Sequence, residues 1–167
     1  NPAMAKHDDG LTTLSLGEAT EKLVKEMGIK RQDSDAFAAQ SHQRAVQAWQ
    51  DGKFNSTVIS VAGVENLTID ETIRKDTTFE ALQELKPSFT TDGVITAGSA
   101  SPLSDGASAV LVVSEAALKK YNLTPIAEII GFDVAGVRPY QFGIGPVPAT
   151  NKLLARLGMN INQIDAI

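Results

Sequence analysis

Residues 96–114 read TAGSASPLSDGASAVLVVS, and the chain changes character inside this stretch. Up to Gly106 it is made mostly of small and turn-forming residues, including Pro102 and Asp105. From Ala107 it becomes a continuous apolar run closed by Ser114. A run without alternation, bounded by turn residues, is the pattern of a strand buried on both faces, as strands of parallel sheets are. The chain therefore divides near residue 101 into an irregular helical half and a regular α/β half.

Upstream of that division, apolar residues Leu16, Ala19, Leu23, Val24 and Met27 fall at helical spacing. Ser15 with Glu18 three residues later makes a capping box, and Gly28 ends the helix. A second helix is expected through DAFAAQSHQRAVQAWQDGKF, with Phe37, Ala38, Ser41, Ala45, Ala48 and Trp49 on one face and a left-handed stop at Gly52. NSTVISVAG and NLTID are rich in β-branched residues and read as short strands around a turn. DTTFEALQELKP carries Thr77 with Glu80 as a capping box and should be a helix of about two to three turns ending before Pro87.

Downstream, SEAALKKYN is a capped helix and PIAEIIGFDVAG a strand. GPVPATNKLLARLG is a helix with Pro148 in its first turn, and IDAI begins a further strand. Strands alternating with helices at this spacing indicate βα units, hence an α/β fold with a parallel or mixed sheet.

The composition narrows the function. The chain has 167 residues, a net charge of -5 and a pI near 5.0, which argues against nucleic acid, since nonspecific affinity for it comes from phosphate neutralisation by lysine and arginine. The absence of cysteine removes disulfides, thiolate metal sites and thiol nucleophiles. No signal-peptide core and no run of 18 apolar residues occurs, so no membrane partner is expected, and the cytoplasm or an organelle matrix is the expected location.

Ser101, His42 and Asp105 could supply a Ser/His/Asp set, but no G-x-S-x-G elbow surrounds any serine and His42 sits on an amphipathic helix. Two histidines without clustered carboxylates make no metal site. Arg74, just ahead of a helix start, can stack on a planar base or pair with phosphate; pairing with Glu71 or Asp76 at the surface is the alternative. The small residues Ala97 to Ser101 would let a thin ligand lie against the backbone with a hydroxyl to bond an amide, or they serve a tight turn into the buried strand.

DAFAAQSHQRA, IRKDTTFEALQELKPSF, VITAGSASPLSDGASAVLVVSE and FGIGPVPATNKLLARLG occur in an order and spacing that resemble the thiolase family, the acetyl-CoA acetyltransferases and 3-ketoacyl-CoA thiolases. The resemblance runs from Leu11 to Ile167. It implies part of a five-layered α-β-α-β-α sandwich: residues 1–101 as the loop domain that covers coenzyme A, 102–123 as the end of the N-terminal half, and 124–167 as the start of the C-terminal half. It implies coenzyme A and acyl-CoA as partners, no cofactor, and a homo-oligomeric parent, dimer or tetramer, in fatty acid metabolism. On the family's pattern Arg74 packs on the adenine end and Ser101 bonds the pantetheine amide. Leu11, Leu82, Leu85, Ala97, Ala100 and Leu103 line the tunnel, and Phe142 stands near the acyl group.

The pattern is not followed throughout. Ala81 stands where some members have serine, Ser104 stands for an asparagine, and the region between Gly10 and Gly17 is shorter than in several biosynthetic members. The family's two catalytic cysteines, and the asparagine and histidine that position a water and an oxyanion hole, have no counterpart among these residues. The expectation is therefore an internal fragment that binds acyl-CoA without catalytic residues of its own. A stand-alone module for coenzyme A or protein binding is the alternative.

Overall fold

The computed structural model describes residues 14–64 and 67–167, so Leu11 lies outside the described residues. The chain forms two compact units, residues 1–102 and 103–167.

The first unit holds three helices: α1 (Leu16–Met27), α2 (Arg31–Gln50) and α3 (Phe79–Gln83). The predicted capping box opens α1: the Ser15 N–H donates to Glu18 Oε2 at 2.7 Å, and the Glu18 N–H to Ser15 Oγ at 3.3 Å. Gly28, at φ 67°, ends it in the left-handed conformation that glycine adopts without a Cβ penalty. Ala19 and Leu23 are buried as expected, whereas Leu16 and Met27 are exposed at the two ends.

The buried face of α2 matches the expected one in part: Ala38, Ala45, Ala48 and Trp49 are half-buried and Ser41 is exposed. Asp35 and Ala39 are its buried residues, while Phe37, placed inward by the sequence reading, is 73% exposed. Arg31, Asp35 and Ala39, at i and i+4 spacing, lie on its inward side, where Arg31 pairs with the buried Asp35 at 2.6 Å.

Helix α3 is shorter than expected and starts one residue later. Its N-cap is Thr78, whose hydroxyl accepts the Ala81 N–H at 3.1 Å, and its five residues end four residues before Pro87. The stretches 58–61 and 67–70, read as strands, form no ladder, and one antiparallel bridge, Pro87 with Thr96, is the sheet-like pairing among the described residues.

In the second unit, α4 (Glu115–Tyr121) is capped by the Ser114 hydroxyl and closed by Asn122 in the left-handed region. A 3-10 turn over Pro139–Ile144 leads into α5 (Pro146–Leu157), where Pro146 takes the first position and Pro148 the third. Residues 107–113, expected as a buried strand, and 126–134, expected as a strand, form no strand, and Val110 and Ile129 are 85% and 68% exposed. IDAI likewise forms no strand. Strands of this composition gain stability only when neighbours satisfy their backbone groups and cover their side chains, and none does so among the described residues.

One side of the 126–134 segment is nevertheless fastened to α5. Asp133 pairs with Lys152 at 2.8 Å and Arg156 at 3.5 Å, and Arg156 also donates to the Phe132 carbonyl. The Asp133 carboxyl is held below its usual range, first by the Lys152 hydrogen bond and then by the Val134 N–H.

The α1 capping box carries a pH signature. Ser15, chiefly through its backbone N–H and then its hydroxyl, holds the Glu18 carboxyl below its ordinary value in the folded chain. A depressed folded value gives stabilisation that is present above the unfolded value and lost as pH falls through the folded one. Glu18→Ala, which removes the carboxylate that the Ser15 N–H bonds, should lower the urea midpoint at neutral pH, and the gap to wild type should narrow on acidification through the carboxylate range. Urea titrations of both proteins between neutral and acidic pH check this; a gap independent of pH contradicts it.

Candidate ligand-binding site

The turn at Ala97–Ser101 is assembled from Thr96 outward. Thr96 is fully buried, and its carbonyl accepts the N–H groups of Ser99 and Ala100 at 3.1 and 3.0 Å. Its hydroxyl accepts the Gly98 N–H at 3.2 Å, and its own N–H donates to Ser99 Oγ at 3.0 Å. Ser99 is thus consumed in building the turn, which leaves Ser101, exposed directly after it, as the hydroxyl free of these bonds.

Two helices hold this segment. From α1, the buried Glu21 carboxylate accepts the N–H groups of Val94 at 3.0 Å and Ile95 at 2.9 Å, and a Cβ on Gly93 would lie 2.2 Å from Glu21 Oε1. From α3, Leu82 and Leu85 seat on the turn: a Cβ on Gly98 would lie 2.3 Å from Leu82 Cδ2 and 2.9 Å from Leu85 Cδ1. The bare backbone at Gly98 is therefore occupied on that side by leucines of the same unit.

Helix α3 is itself tied to α2. Arg31 Nε bonds Asp35 Oδ2 at 2.6 Å, and Arg31 Nη2 donates to the carbonyls of Leu82 at 2.5 Å and Leu85 at 2.9 Å. The Leu82 carbonyl, in the last turn of α3, also accepts the Leu85 N–H at 3.1 Å, and Leu85 follows the helix. Asp35 is fully buried and its Oδ1 has no hydrogen-bond partner.

Arg74 is positioned by its backbone. Asp70 accepts the hydroxyl and N–H of Thr72 at 2.6 and 2.8 Å, and these bonds, the hydroxyl first, hold its carboxyl below the usual range. The Arg74 N–H donates to His42 Nδ1 on α2 at 3.2 Å, which places the neutral ring's proton on Nε2. Neither Glu71 nor Asp76 forms an ion pair with Arg74, so its exposed guanidinium is not spent on either of the surface partners the sequence offers. His42 anchors the loop at Arg74.

Of the residues read as ligand-contacting, Leu82 is buried, Leu85 is partly exposed, and both abut Gly98 between Ala97 and Ala100. Leu103 is fully exposed at the start of the second unit, and Phe142 is 44% exposed in the 3-10 turn before α5. A separate cleft of about 240 Å³, lined by Trp49, Phe54, Val58, Ile59, Leu67 and Thr68 among others, includes none of them. The sequence reading missed Glu21, Arg31, Asp35 and Thr96. Only the i, i+4 spacing of Arg31 and Asp35 was visible, and it is a common surface pattern. Among the described residues no three His, Asp or Glu side chains gather to hold a metal ion, and no helix is long and apolar enough to cross a membrane.

Residues 3–116 match the family model of the thiolase N-terminal domain, and residues 123–167 that of the thiolase C-terminal domain. The chain belongs to the thiolase family. Among its relatives, the 3-ketoacyl-CoA thiolase of Marinomonas sp. (strain MWYL1) is 41% identical over 174 residues, covering 100% of this chain and 44% of that protein. The mitochondrial 3-ketoacyl-CoA thiolase of Mus musculus is 42% identical over 92% of this chain and 40% of its own length. This thiolase-family chain thus spans less than half the length of the curated relatives it matches. Its backbone superposes on human mitochondrial 3-ketoacyl-CoA thiolase in complex with CoA with a TM-score of 0.85 at 38% identity, over 98% of this chain and 41% of that one. The acetyl-CoA acetyltransferase of Bacillus anthracis gives 0.80 at 38% identity, over 91% and 40%. The fold is accordingly part of the thiolase fold.

In this thiolase-family chain Gly98→Ala should push the two leucine tips apart and destabilise the first unit by about 1–3 kcal/mol, the range for overpacking a filled site. Denaturant unfolding monitored by Trp49 fluorescence checks this; an unchanged midpoint would show that the leucines are not seated on Gly98.

Proposed function

We propose that the chain supplies the coenzyme A-binding part of an acyltransferase that interconverts 3-ketoacyl-CoA plus CoA with acetyl-CoA and a shortened acyl-CoA. The observation that carries this reading is the 38% identity and 0.85 TM-score, over 98% of the chain, to a thiolase structure that contains CoA. Residues 1–101 act as the lid over the coenzyme, 102–123 close the N-terminal half and 124–167 open the C-terminal half. The unpaired segments 107–113 and 126–134 become sheet strands in a protein of the relatives' length, which explains why apolar side chains such as Val110 stand exposed on this chain alone.

Arg74 takes the adenine and phosphate end. Its backbone is fastened to His42 and its guanidinium extends from the surface, an arrangement suited to stacking or to charge-assisted bonds with phosphate. Ser101 bonds the pantetheine amide, while Ala97, Ala100, Leu82 and Leu85 supply apolar wall; Leu11, Leu103 and Phe142 are assigned to the coenzyme by the family's pattern alone. Bond-making belongs elsewhere: acyl transfer through an enzyme thioester needs a cysteine, and this chain has none. The lid's contribution is to hold the thioester in register, which turns an encounter in solution into an oriented one. We assign the protein to the cytoplasm, as a homo-oligomer of fatty acid metabolism; relatives named mitochondrial make an organelle matrix the competing location.

In the full-length protein, Arg74→Ala should weaken CoA binding about tenfold and Ser101→Ala about fivefold, the loss of one charge-assisted and one neutral contact respectively. Isothermal titration with CoA measures both. Unchanged affinity in both variants would overturn the assignment of this face to the coenzyme.

A further inference from the structure

We infer that Arg31 and Asp35 are a positioning pair for the turn Ala97–Ser101, setting the affinity for the pantetheine arm without touching it; this rests on the coenzyme A reading above. The starting point is an apparent defect. Asp35 is fully buried, one of its oxygens is bonded only to Arg31 Nε at 2.6 Å, and the other has no partner. A buried carboxylate left half-satisfied is a poor stabiliser, and a well-packed apolar pair in its place would avoid the desolvation cost. Its use lies in what it does to Arg31.

Held through Nε, the planar guanidinium keeps one orientation, and Nη2 then bridges two carbonyls, Leu82 at 2.5 Å and Leu85 at 2.9 Å. Five residues cannot sustain a helix alone, and this bridge is the charge-assisted hold on the C-terminal end of α3, beside the burial of Leu82 and the Pro87–Thr96 pairing that follows. The same two leucines press their side chains on Gly98. A shift of α3 by a few tenths of an ångström is passed to Gly98 directly, because packed side chains of this kind leave no slack. The other end of the segment is pinned by Glu21 through Val94 and Ile95, so the displacement falls on residues 97–101. Lysine at position 31 offers a point charge in place of a fork and cannot reproduce the Asp35 bond and the double carbonyl bridge together.

The test compares CoA with pantetheine, which lacks the nucleotide, in the full-length enzyme. Arg31→Lys should raise the KM for CoA and the inhibition constant of pantetheine by a similar factor of about ten, with kcat changed less than about twofold, as expected when only binding of an arm common to both is lost. Asp35→Ala should do the same, and Asp35→Asn, whose amide oxygen can still accept from Nε, should recover most of the loss. Arg74→Ala serves as the contrast, since it should raise the KM for CoA and leave pantetheine unchanged. If Asp35→Ala does not fold, Arg31→Lys carries the comparison, with Gly98→Ala displacing the turn from its other side. Wild-type pantetheine inhibition in Arg31→Lys, or a fall in kcat without a change in either binding constant, overturns the positioning role while Arg74→Ala still weakens CoA. Loss of neither in any variant, Arg74→Ala included, fails the coenzyme reading itself.

Discussion

A single guanidinium joins three parts of the first unit. Arg31 is clamped by Asp35 within α2 and reaches more than fifty residues along the chain to the last carbonyls of α3. Besides it, α3 has one hydroxyl cap, the burial of Leu82, and the Pro87–Thr96 bridge with the Ser88 N–H to Ile95 carbonyl bond just beyond its end. Through Leu82 and Leu85 the Arg31 contact bears on where Gly98 lies, and through Gly98 on the course of the turn that ends at Ser101. Glu21 holds the entry to that turn with two backbone N–H bonds. The segment is therefore built between a carboxylate on α1 and an arginine on α2, each acting at long range.

This arrangement accounts for what was legible in the sequence. Local chemistry was readable: the Ser15–Glu18 box, the left-handed Gly28 and the Ser114 cap all stand where residue type and spacing placed them. Such features depend on neighbours three or four positions away, which a sequence displays directly. The thiolase resemblance was also readable, because its motifs are long and ordered. What the sequence could not display was partnership across distance. Phe37 was placed on the inward face with Ala38 and Trp49, but the buried residues of α2 are Asp35, paired with Arg31, and Ala39, and the phenyl ring is exposed. Thr77 was expected to cap α3, but the cap is Thr78, whose hydroxyl accepts the Ala81 N–H.

The expected strands show the same limit from the other side. Residues 107–113 have the composition of a strand buried on both faces, yet they form no strand and no neighbour pairs with them among the described residues. Strand character is a property of the sequence, whereas a ladder is a property of two segments. The candidate site divides likewise. Arg74 and Ser101 were singled out by residue type and by resemblance, and the structure gives Arg74 a fastened backbone and Ser101 an exposed place after a rigid turn. Asp35 and Glu21 gave no signal, since a carboxylate on an amphipathic helix is ordinarily solvated.

The central claim is that the turn at 97–101 is held in place through Arg31. Amide hydrogen exchange reads this most directly, because the N–H groups of Gly98, Ser99 and Ala100 are all bonded to Thr96. With Arg31→Lys, exchange at these three amides should accelerate while α5, in the other unit, keeps its wild-type rates. Unchanged protection at Gly98, Ser99 and Ala100 would contradict the account, since the turn would then hold without the arginine that is said to place it.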